Sequence, residues 1–416
     1  ERALGITQIL APVLDINREP RMGREGETYG EDSTLAAAMG SAYARGIQKQ
    51  GDGECRAESV AKHYMGFHQS EGGIHGTVCS IPERLLREVY GLPFQAAIAE
   101  ENLRGVMPCY CSIGGEPVSA SEHLLTQILR QEMGFDGVAV ADYSAVSNVH
   151  HTQKLYETEA EAGLACLSAG MDVELPDTVC FNEEMKAMFA QGKADMALLD
   201  QAVRRVLRAK FRMGLFEHPF ALTGSALSEM VHHPEDELIT LQSALESLVL
   251  LKNDNHVLPV GKNVRKIALI GPHADNARHF FGGYTHLSMV EAIHAVMNSL
   301  AGVDASNTER KPMLTVPGTQ VQSDETEEFA QIWRQIKPDC PSLLAKLTSS
   351  LPDAEITYAY GYPIAGADES HFAEALQTAA GADLVILTLG GKHGSGSVAT
   401  MGEGVDATDI NLPRCQ

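Results

Sequence analysis

The sequence holds a single tryptophan, no surplus of positive charge, no cysteines at the spacing of a zinc site and no apolar run of about 18 residues. Each absence removes a class of function. Without a long apolar run, no segment is expected to cross a bilayer as a helix. A formal net charge of −23 repels a phosphate backbone, so nucleic acid is not an expected partner. The eight cysteines, Cys55, Cys79, Cys109, Cys111, Cys166, Cys180, Cys340 and Cys415, are scattered along the chain. No metal site is expected from them. Cys109 and Cys166 stand in apolar stretches, where a thiol packs as a small hydrophobe. Reduced thiols, and a cytoplasmic location, are the expectation. No secretory leader opens the sequence at Glu1, and the chain is expected to start inside a longer protein.

What is present is ordinary for a globular protein: 44% hydrophobic and 21% charged residues over 416 positions, enough for two or three domains. The first half alternates strand-like runs with amphipathic stretches, the mark of a parallel α/β fold. Strands are expected at Ile6–Ile16, Ser59–Tyr64, Gly105–Tyr110, Gly137–Asp142 and Met171–Leu175. Helices are expected at Leu35–Gln50, Leu85–Glu101, Glu122–Glu132 and Asp195–Met213, the last closed by Gly214. The pattern is that of a (β/α)8 barrel, yet only about 215 residues precede the next domain where about 250 are typical. A linker is expected at 217–237, rich in His, Pro and Gly. It separates a barrel domain at 1–216 from a second α/β domain at 238–416. That second domain should contain a helix at Leu238–Leu251, a turn at Lys252–Asn255, and buried strands at Lys266–Pro272 and Ala382–Gly390. Residues 300–350 carry an acidic patch, Asp324-Glu325-Thr326-Glu327-Glu328, and a helix-like stretch around Trp333. A charge run of this kind is a solvated face.

One run stands out. Gly134-Phe135-Asp136-Gly137-Val138-Ala139-Val140-Ala141-Asp142-Tyr143 reads as a buried strand with a carboxylate at its carboxyl end, where parallel α/β folds place their chemistry. An Asp in this position also caps helices and shapes turns, so the rest of the sequence has to decide its role.

Three further segments join that run. They are Ala11-Pro12-Val13-Leu14-Asp15-Ile16-Asn17-Arg18-Glu19-Pro20-Arg21-Met22-Gly23-Arg24 with its continuation to Asp32, then Ala61-Lys62-His63-Tyr64, then Arg104-Gly105-Val106-Met107-Pro108-Cys109-Tyr110. In this order and spacing they resemble glycoside hydrolase family 3, in its bacterial β-glucosidase and β-xylosidase group. The resemblance covers about 1–290 and 355–416. It implies an α/β chain with a partial (β/α)8 TIM-like barrel followed by a partial α/β sandwich. By the same resemblance, a full member would carry further barrel elements ahead of Glu1, including an Asp that binds the non-reducing sugar. No counterpart of that Asp is found in this sequence, and the second domain is likewise expected to be incomplete at its end.

The resemblance implies retaining hydrolysis of β-glycosides, which takes two carboxyl groups typically about 5–5.5 Å apart, one ionised and one protonated. Asp142 matches the family's nucleophile, with Lys62 and Arg24 as cations to hold it ionised. Glu403, in Gly402-Glu403-Gly404-Val405-Asp406-Ala407, matches the acid/base supplied by a loop of the second domain. An arginine is common where Ala407 stands. Lys62, His63 and Arg24 match residues that bind sugar hydroxyls. An ion pair with Glu27 or Glu31 is the plainer role for Arg24. Tyr110 and Tyr143 offer aromatic faces to the sugar, although many relatives have Trp where Tyr143 stands.

Other features are expected to be bland. Asp172 and Glu174 end a strand and suit structure or function equally. His150, His151, His232, His233 and His273 lack metal spacing and are expected at the surface. Gly271-Pro272-His273-Ala274-Asp275 has no phosphate-binding glycine pattern. No cofactor is expected. The expected substrate is a carbohydrate ending in a β-linked glucosyl or xylosyl residue, cleaved in exo fashion. A β-N-acetylglucosaminidase is the alternative within the family, but Gly66-Phe67-His68-Gln69 departs from the His-containing loop of those members. A non-catalytic sugar-binding relative is the other alternative, and the presence of both Asp142 and Glu403 speaks against it.

Overall fold

The computed structural model describes residues 1–48, 57–231, 233–300, 314–323 and 326–416. Cys55, His232, Asp324 and Glu325, and the end of the helix expected to reach Gln50, lie outside them. The chain divides into two compact units. The first is Glu1–Pro20 with Glu27–Leu245, and the second is Arg21–Gly26 with Glu246–Gln416. The short segment Arg21–Gly26 therefore belongs with the carboxyl-terminal half.

The first unit is built on a parallel sheet in the order Gln8–Ile9, Glu58–Tyr64, Gly105–Pro108, Val138–Ala139. A parallel bridge from Val140 to Val173 continues it. Every residue of Glu58–Tyr64 and Gly105–Pro108 is buried, as befits parallel strands covered on both faces. Val60, Met107, Val138 and Val140 form one core cluster with Ala209 and Met213, each large aliphatic contributing about 1.5–3 kcal/mol by leaving water.

Ala209 lies on the helix Met196–Arg212, capped at its start by the Asp195 side chain on the Ala197 N–H. Gly214 follows it at φ +62°, the left-handed geometry that its position after the helix required. The helix Glu159–Ala169 opens on a capping box between Thr158 and Glu161. Ser33–Gln48 and Leu92–Glu101 are further helices of this unit.

Two elements differ from expectation. The strand expected over Ile6–Ile16 is paired regularly only at Gln8–Ile9. Pro12 has no N–H to donate, and the chain rejoins the sheet through a single bridge, Val13 to Lys62. The segment expected as a linker holds a helix, Gly224–Met230, and Leu222 N–H donates to Ala3 O at 2.9 Å. Its residues group with the first unit, and the division between units falls after Leu245, within the helix Pro234–Glu246.

The second unit has a three-stranded parallel sheet in the order Leu384–Leu387, Lys266–Ile270, Glu355–Ala359. The helix Glu327–Ile336 carries Trp333, and Phe329 and Ile332 are buried on it. Beyond the sheet, the short strands His393–Ser395 and Met401–Glu403 pair in parallel, with Ser395 opposite Glu403. Among the described residues no helix is long and apolar enough to cross a membrane.

Candidate active site

In the first unit the carboxyl ends of three strands bring Asp142, His63 and Tyr110 together. Val140 N–H donates to Val106 O and Ala141 N–H to Val173 O, so the chain is tied on both sides up to Asp142. Asp142 itself is 9% exposed. The Tyr143 N–H donates to its Oδ1 at 2.8 Å, and Ser144 turns the backbone away at φ +65°. Asp142 Oδ2 lies 3.6 Å from His63 Nε2.

The imidazole of His63 is aimed by a residue that sequence reasoning passed over. Asp15 takes the His63 backbone N–H on Oδ1 at 3.2 Å, and its Oδ2 lies 2.7 Å from His63 Nδ1. With Asp15 on Nδ1, the other ring nitrogen faces Asp142. His68 Nε2 stands 3.8 Å from the same Asp15 oxygen. Asp15 lies within the Ala11–Asp32 segment, but between Leu14 and Ile16 it reads as part of a strand. Phe67 packs on His63, with ring centroids 4.7 Å apart, and touches His75 and Tyr110 edge-on. The Tyr110 hydroxyl donates to Tyr143 O at 2.8 Å, while the Tyr143 side chain is exposed. Lys62, beside His63, is buried.

Glu403 belongs to the second unit, and so does Arg24. Arg24, 1% exposed, places Nη1 3.1 Å from Glu403 Oε1. The Tyr284 hydroxyl donates to Glu403 Oε2. Arg21–Gly26 forms the bed for this loop. Ala407 N–H donates to Arg21 O at 2.7 Å. Gly23 sits at φ +82°, and a Cβ there would stand 2.6 Å from Val405 O, so only glycine fits. Ala407 keeps the loop attached through its backbone. No signal in the sequence marked Tyr284.

The carboxylates left open by the sequence are bound into the scaffold. Asp172 accepts from Arg130 and Arg205 at 2.8 Å each and from the Ala139 N–H at 2.9 Å. Glu174 accepts from the N–H groups of Cys180 and Phe181. Burial pushes the thiols of Cys166 and Cys180 up, the latter to about 12, so neither is a nucleophile at neutral pH. His151 is exposed and pairs with Glu159. His273, expected at the surface, is instead half-buried, with Nε2 2.8 Å from Gly391 O. An apolar cavity of about 640 Å³ lies between the helices Glu183–Ala190 and Met196–Arg212; neither Asp142 nor His63 lines it.

Comparison with known proteins gives a consistent result. Residues 1–209 match the glycosyl hydrolase family 3 N terminal domain, and residues 248–416 match the glycosyl hydrolase family 3 C-terminal domain. A beta-xylosidase from Formosa agariphila is 31% identical over 99% of this chain and 52% of its own length. A lysosomal beta glucosidase from Dictyostelium discoideum is 32% identical over 85% of this chain and 45% of its own. The chain thus spans about half the length of these relatives. The crystal structure of a beta-glucosidase from Listeria innocua in complex with glucose matches with a TM-score of 0.77 at 25% identity, covering 100% of this chain and 49% of that one. The expected α/β class, a barrel-type domain followed by an α/β sandwich, holds.

Proposed function

The chain belongs to glycosyl hydrolase family 3, and on that footing we propose that it acts as a retaining, exo-acting β-glycosidase on terminal glucosyl or xylosyl residues. Asp142 attacks the anomeric carbon while Glu403 gives its proton to the leaving oxygen. The bond to the leaving group breaks as the glycosyl–Asp142 bond forms. Glu403, now ionised, takes a proton from water, and the water oxygen displaces Asp142 from the same carbon, so the β configuration is retained.

The observation that carries this reading is the setting of Asp142: a carboxylate at a strand end, one oxygen held by the Tyr143 N–H and the other facing His63. A nucleophile needs that fixed orientation. Lys62, His63 and Arg24 bind sugar hydroxyls, and these bonds strengthen as positive charge develops on the ring. Tyr110 and Tyr143 supply aromatic surface for the sugar's apolar face. Relatives named for xylose and for glucose support both sugars as substrates.

The test is a panel of nitrophenyl β-glucoside, β-xyloside, α-arabinoside and N-acetyl-β-glucosaminide with the intact protein. The β-glucoside or β-xyloside is expected to turn over fastest, releasing the β-anomer first. Fastest turnover of the N-acetylglucosaminide, or sugar binding without turnover, contradicts the proposal.

A further inference from the structure

The second unit contains a buried charge cluster that the proposed chemistry does not use directly. Glu291, on the helix His286–Leu300, is 0% exposed. Its Oε1 accepts from Arg278 Nε at 2.8 Å, and its Oε2 lies 2.7 Å from Lys392 Nζ. Arg278 and Lys392 are buried as well, and the Arg278 guanidinium lies 4.7 Å from the centre of the Phe329 ring. Two cations and one carboxylate withdrawn from water are costly, and apolar residues of the same volume would often pack at least as stably. Burial accordingly pulls the Lys392 ammonium below its ordinary value. Stability alone therefore does not account for the cluster.

Both cations lead to Glu403. Lys392 stands at the foot of the loop that ends there. Its N–H donates to Thr400 Oγ1 at 2.8 Å, and its carbonyl accepts the Thr400 N–H at 2.9 Å. The strand after Lys392 pairs with Met401–Glu403. Arg278 lies in the turn Ala277–Phe280. The chain runs on through Gly282, where a Cβ would stand 2.8 Å from His393 O, to Tyr284, whose hydroxyl donates to Glu403.

We propose that Glu291 is a positioning residue for Glu403: a single carboxylate ties together the loop that carries Glu403 and the segment that hydrogen-bonds it. This rests on the reading of Glu403 as the acid/base. A general acid matters most when the leaving group is poor, and a displacement of about 1 Å costs up to about 100-fold in rate. Loosening the cluster therefore slows the first step for substrates whose leaving group needs the proton and spares it for those whose leaving group does not.

The experiment compares wild type, Glu291→Gln, Lys392→Met and Glu403→Gln in the intact protein, each on a β-linked disaccharide and on the dinitrophenyl glycoside of the same sugar. Lys392→Met cuts one arm, keeps the Glu291–Arg278 pair and leaves the buried charge balanced, so it serves even where Glu291→Gln does not fold. The expected result is a fall in kcat/KM, which reports the first, proton-donating step, of about 10- to 100-fold on the disaccharide for Lys392→Met, and for Glu291→Gln where it folds. On the dinitrophenyl glycoside kcat/KM should stay within about threefold of wild type, because departure of so good a leaving group needs little proton transfer. Glu403→Gln should show the same selectivity more strongly. A merely structural role lowers both substrates equally. If Glu403→Gln is selective and the other two variants are not, the role of Glu291 is overturned and that of Glu403 stands. If Glu403→Gln is not selective, both fall.

Discussion

His63 Nε2 stands 3.6 Å from Asp142 Oδ2, and the orientation of that ring is set from behind by Asp15, 2.7 Å from Nδ1. His63 and Asp142 thus join two motifs far apart in sequence, at the ends of the strands on either side of Gly105–Pro108. Asp15 controls which nitrogen of His63 faces the nucleophile candidate, although it does not itself face the sugar in the proposed chemistry.

Replacing Asp15 by Asn keeps the volume and removes the charge. A hydrogen bond to a charged group is worth about 1.5–3 kcal/mol, so kcat/KM is expected to fall by about 10- to 100-fold, with kcat taking most of the loss. Steady-state kinetics on a nitrophenyl substrate decide it. A kcat/KM within about twofold of wild type would remove Asp15 from the account.

Asp172 is predicted to matter for stability alone. Asp172→Ala strands Arg130 and Arg205 around an empty acceptor, and loss of one partner of a buried pair costs about 3–5 kcal/mol. The urea midpoint should drop accordingly, while activity per folded molecule is unchanged. Loss of activity in fully folded Asp172→Ala would return this carboxylate to the site.

Glu58 predicts a pH dependence of stability. It is buried on its strand, and burial raises its carboxyl above the ordinary value of 4.5 against the opposing effects of Gln8, Arg104 and Arg212. Between 4.5 and the raised value the folded chain holds a proton that the unfolded chain has lost. Stability from this group is therefore full below 4.5 and declines as pH rises through the folded-state value. Glu58→Gln should be more stable than wild type at neutral pH and lose less stability on going there from acid. Parallel denaturation curves that differ equally at every pH would refute it.

Much of the frame was legible in the sequence because parallel strands write themselves as apolar runs ending in polar residues. The strand at Glu58–Tyr64 begins one residue before expectation, and the helix at Met196–Arg212 is one residue shorter at each end. The position of Asp142 at a strand end was legible for the same reason. Contacts between distant residues were not. Arg24 and Glu403 are 379 positions apart, and neither charge pattern nor spacing joins them. Asp172 and Glu174 show the converse limit. A carboxylate at a strand end reads the same whether it faces a substrate or, as here, arginines and backbone N–H groups. The Glu291 cluster was silent because each member looks like an ordinary surface charge until the fold buries it.

The most direct test of the central claim is labelling of the nucleophile. A fluorinated glucosyl or xylosyl inactivator, which forms the glycosyl–enzyme bond and stalls its hydrolysis, is added to the intact protein, and the digest is mapped by mass. A single glycosylated peptide with the sugar on Asp142 is expected, and a loss in kcat on the order of 10⁴-fold or more for Asp142→Ala. Attachment of the sugar to any other carboxylate would contradict it.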